Sequence, residues 1–339
     1  MKGMILAAGY GTRLRPLTYT LPKPMMPVCN RALIAWSVES FLTAGVHDLI
    51  VNVHHLPTTI EHYLRMHYED RAELHISYEA DILGTGGAIR RVRAQLQNAG
   101  EFFLVNGDTV QFPQYDSLRD ARRKSDSLAA LTLRHPPEGD RFTPVFFEDG
   151  RVTGFGSGRG EALMFAGSHL VSSRVFRYVP DRDFSGIVDD VYVPVLGEQK
   201  ETIAGIVDDS LWFDIGTPAR YFSASKGLVD AMLRGDVTPA EGSSIRGDSL
   251  VHTTATTPKT MARSIVGARS MVHGELHDTI VWEDCAISGG VRLESCIVAH
   301  GVEISGHLEL RNAIICRDTP AIPQDPMYER RDGLVIAQV

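Results

Sequence analysis

Short apolar runs alternate with amphipathic segments through roughly the first 110 residues of the chain. Four of these runs, apolar throughout or alternating, are typical of strands. They lie at 4–8, 49–53, 74–78 and 102–105. Helical spacing of apolar residues follows three of them, at 32–44, at about 58–68 and from 84 onwards. This alternation indicates a parallel sheet with right-handed crossovers, in which ligands bind beyond the carboxyl ends of the strands.

From residue 127 to about 216 the pattern is mixed. Runs of strand type lie at 128–133, 163–171 and 211–214. Asp149-Gly150 separates two further short runs and predicts a hairpin turn. Helical spacing returns over 187–196 and again after Thr217-Pro218, where proline suits the first turn of a helix. The sheet is therefore predicted to be mixed and mainly parallel.

Beyond residue 257, pairs of adjacent β-branched residues recur at nearly constant spacing. The pairs are Ile265-Val266, Ile280-Val281, Ile297-Val298 and Ile314-Ile315, which are 15, 17 and 17 residues apart. Such a repeat predicts short strands stacked as the coils of a parallel β-helix. An irregular β-rich tail is the alternative. The Gly-, Ser- and Thr-rich stretch 236–257 is predicted to be a linker, which divides the chain into 1–235, 236–257 and 258–339.

Composition narrows the classes of function. The net charge of −8 argues against a nucleic-acid coat and against an anionic-membrane binder, so a phosphate site must be a local basic pocket. The sequence has no apolar run of about 18 residues and no signal-peptide core, so neither a membrane span nor a secretion signal is expected. Four cysteines without zinc-type spacing are typical of reduced thiols in a cytoplasmic protein.

The most informative stretch follows the first predicted strand. Residues 6–18 read LAAGYGTRLRPLT, and 22–27 read PKPMMP. Gly9 and Gly11 permit tight turns and a close approach of backbone to ligand, and consecutive N–H groups in such a loop can form an anion-binding nest. With an arginine and a lysine added, the stretch predicts a polyphosphate cradle. It is neither a P-loop nor a dinucleotide fingerprint, because Leu14 stands where the third glycine of that fingerprint would be.

Both stretches resemble the signature of the sugar-phosphate nucleotidylyltransferases, L-A-A-G-x-G-T-R-L-x-P-L-T followed by P-K-P-x-x-P, at every defined position. The resemblance implies a Rossmann-like α/β catalytic domain over 1–235 and a C-terminal left-handed parallel β-helix. It also implies transfer of a nucleoside monophosphate from an NTP to a sugar 1-phosphate, with release of pyrophosphate. Stretch 83–88, LGTGGA, is similar to that of mannose-1-phosphate guanylyltransferases, so GTP and mannose 1-phosphate are the expected substrates.

The resemblance assigns roles to individual residues. Those implied to bind the nucleotide are Leu6, Ala7, Ala8, Gly9, Gly11, Thr12, Arg13, Lys23, Glu79, Gly84, Thr85 and Gly107. Those implied to bind the sugar phosphate are Asn106, Arg159 and Gly167. Arg13 would hold the leaving pyrophosphate and Lys23 the α-phosphate, where negative charge builds during transfer.

Two aspartates at predicted strand ends, Asp108 and Asp214, are the candidate metal ligands. Mg²⁺ prefers oxygen ligands, often one or two carboxylates together with substrate phosphates and water. In the family that the sequence resembles, the corresponding aspartates hold the catalytic Mg²⁺. No general base is expected, because a phosphate monoester, with a second pKa of about 6, is already an anion at neutral pH.

Glu79 favours guanine over a pyrimidine, because a carboxylate can accept hydrogen bonds from N1–H and the exocyclic amine of guanine. The sequence departs from the family after Phe155. Relatives carry Glu-Lys-Pro there, and their lysine holds the sugar phosphate, whereas this chain has Ser157 and Gly158 at the Glu and Lys positions. Arg159, the next residue, is the candidate to replace that lysine.

Two alternatives stay open at this point. One is a uridylyl- or thymidylyltransferase that acts on another sugar 1-phosphate, such as N-acetylmuramate or glucose 1-phosphate, since a uridylylating subgroup also lacks the Glu-Lys-Pro triplet. The other is a regulatory paralogue that binds a nucleotide sugar without catalysis, which the intact arginine, lysine and aspartates oppose. Neither nucleic acid nor membrane is an expected partner, and the β-helix is expected to mediate homo-oligomerisation.

Overall fold

The computed structural model describes residues 1–139, 142–258 and 260–339. Within these ranges the chain forms two compact units. The first unit comprises Met1–Tyr10 and Ile34–Phe213, and the second comprises Gly11–Leu33 and Asp214–Val339. The predicted domains 1–235 and 258–339 are a division by sequence pattern, and they stay a prediction.

A nine-stranded sheet is the centre of the first unit. From one edge to the other its strands are Glu73–Tyr78, Asp48–Val53, Lys2–Leu6, Glu101–Asn106, Glu161–Ser172, Ala129–Arg134, Ile203–Val207, Arg151–Phe155 and Val145–Glu148. The first four are parallel, as the alternating pattern predicts. Among the described strands, Glu161–Ser172 and Arg151–Phe155 run against the others, so the sheet is mixed and mainly parallel.

Helices pack against this sheet. They are Leu33–Thr43 (which enters the unit at Ile34), Pro57–Tyr68, Gly84–Arg91, Arg93–Gln97, Tyr115–Ser125 and Val193–Gly197, with a 3₁₀ turn at Ser173–Arg177 and a π-helix at Val188–Tyr192. The predicted helix from 84 onwards is interrupted at Val92, and its three apolar residues, Ile89, Val92 and Leu96, are buried together with strand residues Phe102 and Leu104. Sequence pattern predicted neither Tyr115–Ser125 nor the strand Ile203–Val207.

The predicted hairpin is present in the mixed half of the sheet. Asp149 and Gly150, with φ angles of 49° and 80°, connect Val145–Glu148 to Arg151–Phe155. Two positive φ angles in a two-residue turn match the right-handed twist of the flanking strands, and Asp-Gly is favoured there for that reason. Two further short strands, Thr109–Gln111 and Trp212–Asp214, lie outside the nine-stranded sheet.

The β-branched pairs of the sequence stack directly on one another in the second unit. Ile265, Ile280, Ile297 and Ile314 are successive parallel ladder partners, and all four are buried. Their strands are Ile265–Val266, Ile280–Val281, Ile297–Val298 and Ala313–Arg317. The spacing of 15, 17 and 17 residues is thus the coil length of a β-helix-like repeat, which confirms the prediction of stacked parallel strands.

The coils also contribute to two further parallel sheets, one of four strands and one of three. One contains Met261–Ala262, Glu275–His277, Val291–Glu294 and Leu308–Arg311, and the other contains Met271–Val272, Ala286–Ile287 and Glu303–Ile304. Buried side chains continue the ladder between coils. The N–H of Ser264 donates to Ser249 Oγ (3.0 Å), and that of Thr279 donates to Ser264 Oγ (3.1 Å). These hydroxyls satisfy turn amides that water cannot reach.

Antiparallel strands close both ends of the repeat. At its start, Ser243–Arg246 pairs with Ser249–His252, which continues the ladder of the first coil. Residues of the predicted linker 236–257 are therefore part of a sheet. At its end, Leu334–Gln338 pairs with Ala313–Arg317 and with Glu329–Arg331. The sheet therefore ends in short antiparallel strands, Ser243–Arg246 and Glu329–Arg331, and short edge strands limit pairing with other chains.

The second unit also contains the signature stretch from Gly11 onwards and the helix Pro218–Arg234. Thr217 is the N-cap of this helix, and Pro218 is in its first turn, as predicted. The stretch forms 3₁₀ turns at Thr12–Leu14, Leu17–Tyr19 and Lys23–Met25, followed by a hairpin of Pro27–Val28 and Arg31–Ala32. The four cysteines are free and buried. Among the described residues, none of the helices combines the length and the hydropathy that a membrane-spanning segment requires.

Candidate functional site

The carboxyl ends of three parallel strands bring several predicted nucleotide-binding residues together in the first unit. Leu6 is the ladder partner of Asn52 on one side and of Asn106 on the other. Ala7 N–H donates to Asn52 Oδ1 (2.8 Å), and Gly107 N–H donates to the Leu6 carbonyl (2.9 Å). A Cβ atom at Gly107 would lie 2.8 Å from that carbonyl oxygen, so a side chain there would push the two strand ends apart.

Glu79 is buried, with 5% of its surface exposed, and both of its carboxylate oxygens have protein donors. Asn52 Nδ2 donates to Oε1 (2.8 Å), and Leu83 N–H donates to Oε2 (3.0 Å). Glu79 therefore ties the loop before Leu83 to the sheet. A carboxylate oxygen accepts more than one hydrogen bond, so the predicted contact of Glu79 with guanine stays a prediction. Sequence pattern did not single out Asn52 as a functional residue, although an isolated asparagine in an apolar strand is a signal of a buried polar contact.

Tyr10 is a second residue that the signature alone does not single out. It is half exposed (50%), and its ring meets the His54 ring edge-on with 4.7 Å between the centroids. His54 Nδ1 lies 2.9 Å from the Glu79 carbonyl oxygen. Next to Tyr10, a Cβ atom at Gly9 would have no described heavy atom within 4 Å, and Ala8 is half-buried. The space beside Gly9 is thus open to a ligand.

The glycines of the LGTGGA stretch pack against a neighbouring backbone segment. Both Gly86 N–H and Gly87 N–H donate to the Ser185 carbonyl, at 2.7 and 3.2 Å. Gly84 has a φ of +69°, and a Cβ there would lie 2.5 Å from the same oxygen. Thr85 Oγ1 accepts from Ile187 N–H (2.8 Å). Gly84 and Thr85 therefore fix the start of the helix, and their predicted contact with nucleotide stays a prediction.

Asn106 and Gly167, two of the predicted sugar-phosphate residues, lie together. A Cβ atom at Gly167, where φ is +92°, would lie 2.8 Å from Asn106 Nδ2. Gly167 is in a bulge, because the pairing register with Ala129–Arg134 shifts between Phe165 and His169. Bulges are common beside active sites, where they redirect side chains.

The bulge is anchored on each side of Gly167. On one side, Trp212 Nε1–H donates to the Ala166 carbonyl (2.8 Å). On the other, Ser168 Oγ donates to Thr132 Oγ1 (2.9 Å), and the Tyr192 hydroxyl lies 2.8 Å from His169 Nδ1.

Arg159, the third predicted sugar-phosphate residue, is in a different loop. Its N–H donates to Thr153 Oγ1 (3.0 Å), and its side chain is exposed. The backbone position of Arg159 is therefore defined, whereas its contact with a sugar phosphate stays a prediction.

Burial of His169 predicts a specific pH dependence of stability. Burial lowers the pKa of His169 from 6.5 to about 3. Between these two values the unfolded chain takes up a proton that the folded chain does not, so the His169 contribution is complete above pH 6.5 and is lost as the pH falls. We expect His169→Gln to reduce the acid-side slope of unfolding free energy by up to about 1.4 kcal/mol per pH unit, measured by urea unfolding from pH 7 to pH 4.

His135 provides the control of opposite sign. Hydrogen bonds to Asp209 and then Glu161 raise the pKa of this exposed side chain. The stabilising effect of His135 is therefore present below its pKa in the unfolded chain, and it is lost as the pH rises through its higher pKa in the folded chain. Unfolding slopes for His169→Gln that equal those of the unchanged protein between pH 7 and pH 4 would contradict the role assigned to burial.

In the second unit, Gly11 is the centre of the signature stretch. Its φ is +61°, and its carbonyl accepts hydrogen bonds from Thr18 Oγ1 (2.8 Å) and Leu14 N–H (2.9 Å). A Cβ atom at Gly11 would lie 2.9 Å from Thr18 Cγ2 and 3.2 Å from Lys23 Cβ. The glycine therefore packs directly on Lys23, while Thr12 and Arg13 of the next turn are exposed.

Arg13 and Asp214 face the same space in this unit. A Cβ atom at Gly216 would lie 2.9 and 3.0 Å from the two Asp214 carboxylate oxygens and 3.3 Å from Arg13 Nη1. Arg220, from the first turn of Pro218–Arg234, forms an ion pair with Asp214. Sequence reasoning missed Arg220, because a basic residue in a helical turn has no distinctive local pattern.

The donor type fits a hard divalent cation, because carboxylate oxygens are its preferred ligands and a side chain at Gly216 would fill the space beside both Asp214 oxygens. Asp108 is in the turn after the strand Glu101–Asn106 and is half-buried. It belongs to the first unit, whereas Asp214 belongs to the second. Coordination of one ion by both aspartates therefore stays a prediction.

Comparison with known proteins bears on what this arrangement does. The sequence model of the nucleotidyl transferase family matches residues 2–231. Mannose-1-phosphate guanylyltransferase 1 of Arabidopsis thaliana is 26% identical over 333 residues, covering 93% of this chain and 86% of that protein. The mannose-1-phosphate guanylyltransferase catalytic subunit beta of Danio rerio is 26% identical over 325 residues, with the same coverage. The crystal structure of HddC from Yersinia pseudotuberculosis shares the fold over 67% of this chain and 99% of that one, with a TM-score of 0.56 and 22% identity.

Proposed function

The chain belongs to the nucleotidyl transferase family, and on that premise we propose that it makes a nucleotide sugar from an NTP and a sugar 1-phosphate. The proposed substrates are GTP and mannose 1-phosphate, and the products are GDP-mannose and pyrophosphate. The observation that carries the proposal is the common space faced by Arg13 and Asp214 above Gly216, next to a glycine turn packed on Lys23.

In this reaction a phosphate oxygen of the sugar 1-phosphate attacks the α-phosphorus of the NTP. The bond from that phosphorus to the bridging oxygen of the β-phosphate breaks, and pyrophosphate leaves with the electron pair. The attacking oxygen is already anionic at neutral pH, since its second pKa is about 6. The protein must therefore bring anions together and neutralise them. Arg13 does so at the leaving pyrophosphate, and Lys23 does so at the α-phosphate.

Nucleotidyltransferases of this family generally use a divalent metal ion, and we propose Mg²⁺ for this chain. Asp108 and Asp214 would hold it. When bound, Mg²⁺ neutralises phosphate charge and helps to orient the two substrates. The remaining tasks belong to the chain itself: Arg220 pairs with Asp214 and keeps its carboxylate in place, and Gly216 leaves room above it.

The choice of GTP rests on the guanylyltransferase relatives, which align over most of the chain, and on the LGTGGA stretch. The shift in Tm caused by a bound nucleotide tests the choice of GTP without any assumption about turnover. A nucleotide present at 100 times its Kd stabilises the folded state by about 2.7 kcal/mol. We expect GTP with Mg²⁺ to raise Tm by several degrees, and UTP and dTTP at the same concentration to leave it nearly unchanged. A larger shift with UTP or dTTP would favour the pyrimidine alternative.

Turnover is tested by a panel of NTPs against sugar 1-phosphates, read as pyrophosphate release. We expect the largest kcat/KM for GTP with mannose 1-phosphate. Pyrophosphate release with any pair excludes the regulatory paralogue. Its absence with every pair, from folded protein that GTP still stabilises, would favour that paralogue and contradict the proposed activity.

A cytoplasmic location and a homo-oligomer formed through the β-helix-like repeat complete the proposal. Four free, buried cysteines support the first, because they are consistent with a reducing compartment. Long parallel ladders offer a repetitive surface that supports the second. Light scattering of the full chain tests the second, and a monomer would contradict it.

A further inference from the structure

Tyr221 connects the β-helix-like repeat to the P-K-P stretch that carries Lys23. This tyrosine of the helix Pro218–Arg234 is fully buried. Its hydroxyl donates to the Pro27 carbonyl (2.5 Å) and accepts from Trp282 Nε1–H (2.9 Å). Trp282 follows the repeat strand Ile280–Val281 and is 3% exposed. Burial raises the pKa of Tyr221 far above its usual range, so the hydroxyl remains a donor at every physiological pH.

A second set of contacts fixes the hairpin that follows Pro27. Its turn residues, Cys29 and Asn30, have φ angles of 52° and 60°. Asn30 Nδ2 donates to the Val266 carbonyl of the first coil (3.1 Å) and to Ser243 Oγ (3.2 Å). The buried Cys29 thiol donates to the Ser225 carbonyl of the helix (3.3 Å). The repeat therefore holds this segment directly at Asn30, and at Pro27 through Trp282 and Tyr221.

The link from Pro27 back to Lys23 is short and stiff. Met26 N–H donates to the Lys23 carbonyl (3.1 Å), and Met25 N–H donates to the Pro22 carbonyl (2.8 Å). Proline fixes its own φ, and three prolines lie between residues 22 and 27. A shift of the Pro27 carbonyl therefore moves the turn that carries Lys23, instead of being absorbed by a flexible linker.

We infer that Tyr221 and Trp282 are positioning residues for Lys23, so that the β-helix-like repeat is part of the catalytic apparatus. This inference rests on the proposed function, in which Lys23 neutralises charge that builds at the α-phosphate. A displaced lysine loses contact mainly with the transition state. The resulting defect therefore appears in kcat and much less in the KM for the nucleotide.

The test compares Tyr221→Phe, Trp282→Phe and the control Tyr115→Phe. Tyr115 is also buried, and its hydroxyl lies 3.1 Å from Ser40 Oγ in the first unit. We expect Tyr221→Phe to lower kcat about tenfold, with the nucleotide KM changed less than twofold. Trp282→Phe keeps the bond to Pro27 and should lower kcat by about threefold. Tyr115→Phe should leave kcat unchanged.

A double-mutant cycle separates positioning from general loss of structure. In a Lys23→Met background, Tyr221→Phe should lower kcat no further, because the ammonium group that Tyr221 positions is absent. An equal tenfold loss in both backgrounds would overturn the inference while leaving the proposed function intact.

Hydrogen exchange of the full chain gives a readout that does not need turnover. We expect the amides of Met25 and Met26 to exchange at least tenfold faster in Tyr221→Phe than in Tyr115→Phe. Equal protection in the two variants would overturn the inference even if the chain proved to have no transferase activity.

Discussion

Asp214→Asn is expected to lower kcat for nucleotidyl transfer by about a thousandfold. The substitution removes the negative charge that would hold Mg²⁺, and losing a single preorganised charge-stabilising group commonly lowers kcat by about a hundred- to a thousandfold. Asparagine has nearly the same shape as aspartate, so the packing around Gly216 is preserved. The measurement is pyrophosphate release over a Mg²⁺ titration, with Tm recorded in parallel.

Arg220→Gln is the control for this substitution, because Asp214 also forms an ion pair with Arg220. Arg220→Gln keeps the Asp214 carboxylate and removes only the group that holds it in place, so this variant should lower Tm and leave kcat within about tenfold of the unchanged protein. Asp108→Asn completes the set and is expected to match the loss in Asp214→Asn. Retained activity in both aspartate variants would refute the assignment of the metal ligands.

Gly11→Ala is expected to lower kcat/KM for the nucleotide by about a hundredfold and to destabilise the folded state by about 1–3 kcal/mol. The left-handed conformation alone costs a non-glycine residue about 1–2 kcal/mol. A methyl group would also lie 2.9 Å from Thr18 Cγ2 and 3.2 Å from Lys23 Cβ. Relief of that crowding displaces the lysine, which is why kcat/KM should fall in protein that is still folded. Pyrophosphate release and urea unfolding measure the two effects.

Gly45→Ala is the matched control. Gly45 has a φ of +73°, and a Cβ there would have no described heavy atom within 4 Å. The substitution therefore introduces similar backbone strain without crowding, at the end of the helix Leu33–Thr43. We expect a similar loss of stability with unchanged kcat/KM. If Gly45→Ala and Gly11→Ala lower kcat/KM equally, crowding of Lys23 is not the cause.

Local pattern predicted those parts of the fold in which neighbours along the chain determine the conformation. The Asp149-Gly150 turn is an example, because positive φ angles at both positions favour these residues. Pattern failed at Tyr115–Ser125, a mostly charged helix in which Tyr115 and Leu118 are the buried residues. It also failed at Ile203–Val207, whose central glycine interrupts a short run and packs against Leu133 and Phe147.

The residues of the candidate site also fall into those that local sequence identified and those that it did not. The glycines and charged residues of the signature are recognisable because their spacing is local, and the structure explains Gly11, Gly107 and Gly167 by close contacts that a side chain would prevent. The partners of those residues were not recognisable. Asn52 supports Glu79 across 27 residues of sequence, and Tyr221 supports Pro27 across 194. No local period encodes such a pair, because it forms only when distant segments pack together.

By itself, the sequence determined the alternation that makes the sheet mainly parallel, the coil length of the repeat, and the family signature. All three depend on short-range periodicity or on contiguous residues. The tertiary structure alone decided that both Glu79 oxygens are engaged by the protein, that Arg220 forms an ion pair with Asp214, and that the repeat holds the P-K-P stretch through Tyr221 and Trp282. These contacts depend on which buried donors and acceptors meet. Residues far apart in sequence come within hydrogen-bond distance only when the chain folds, and buried polar groups then need such partners.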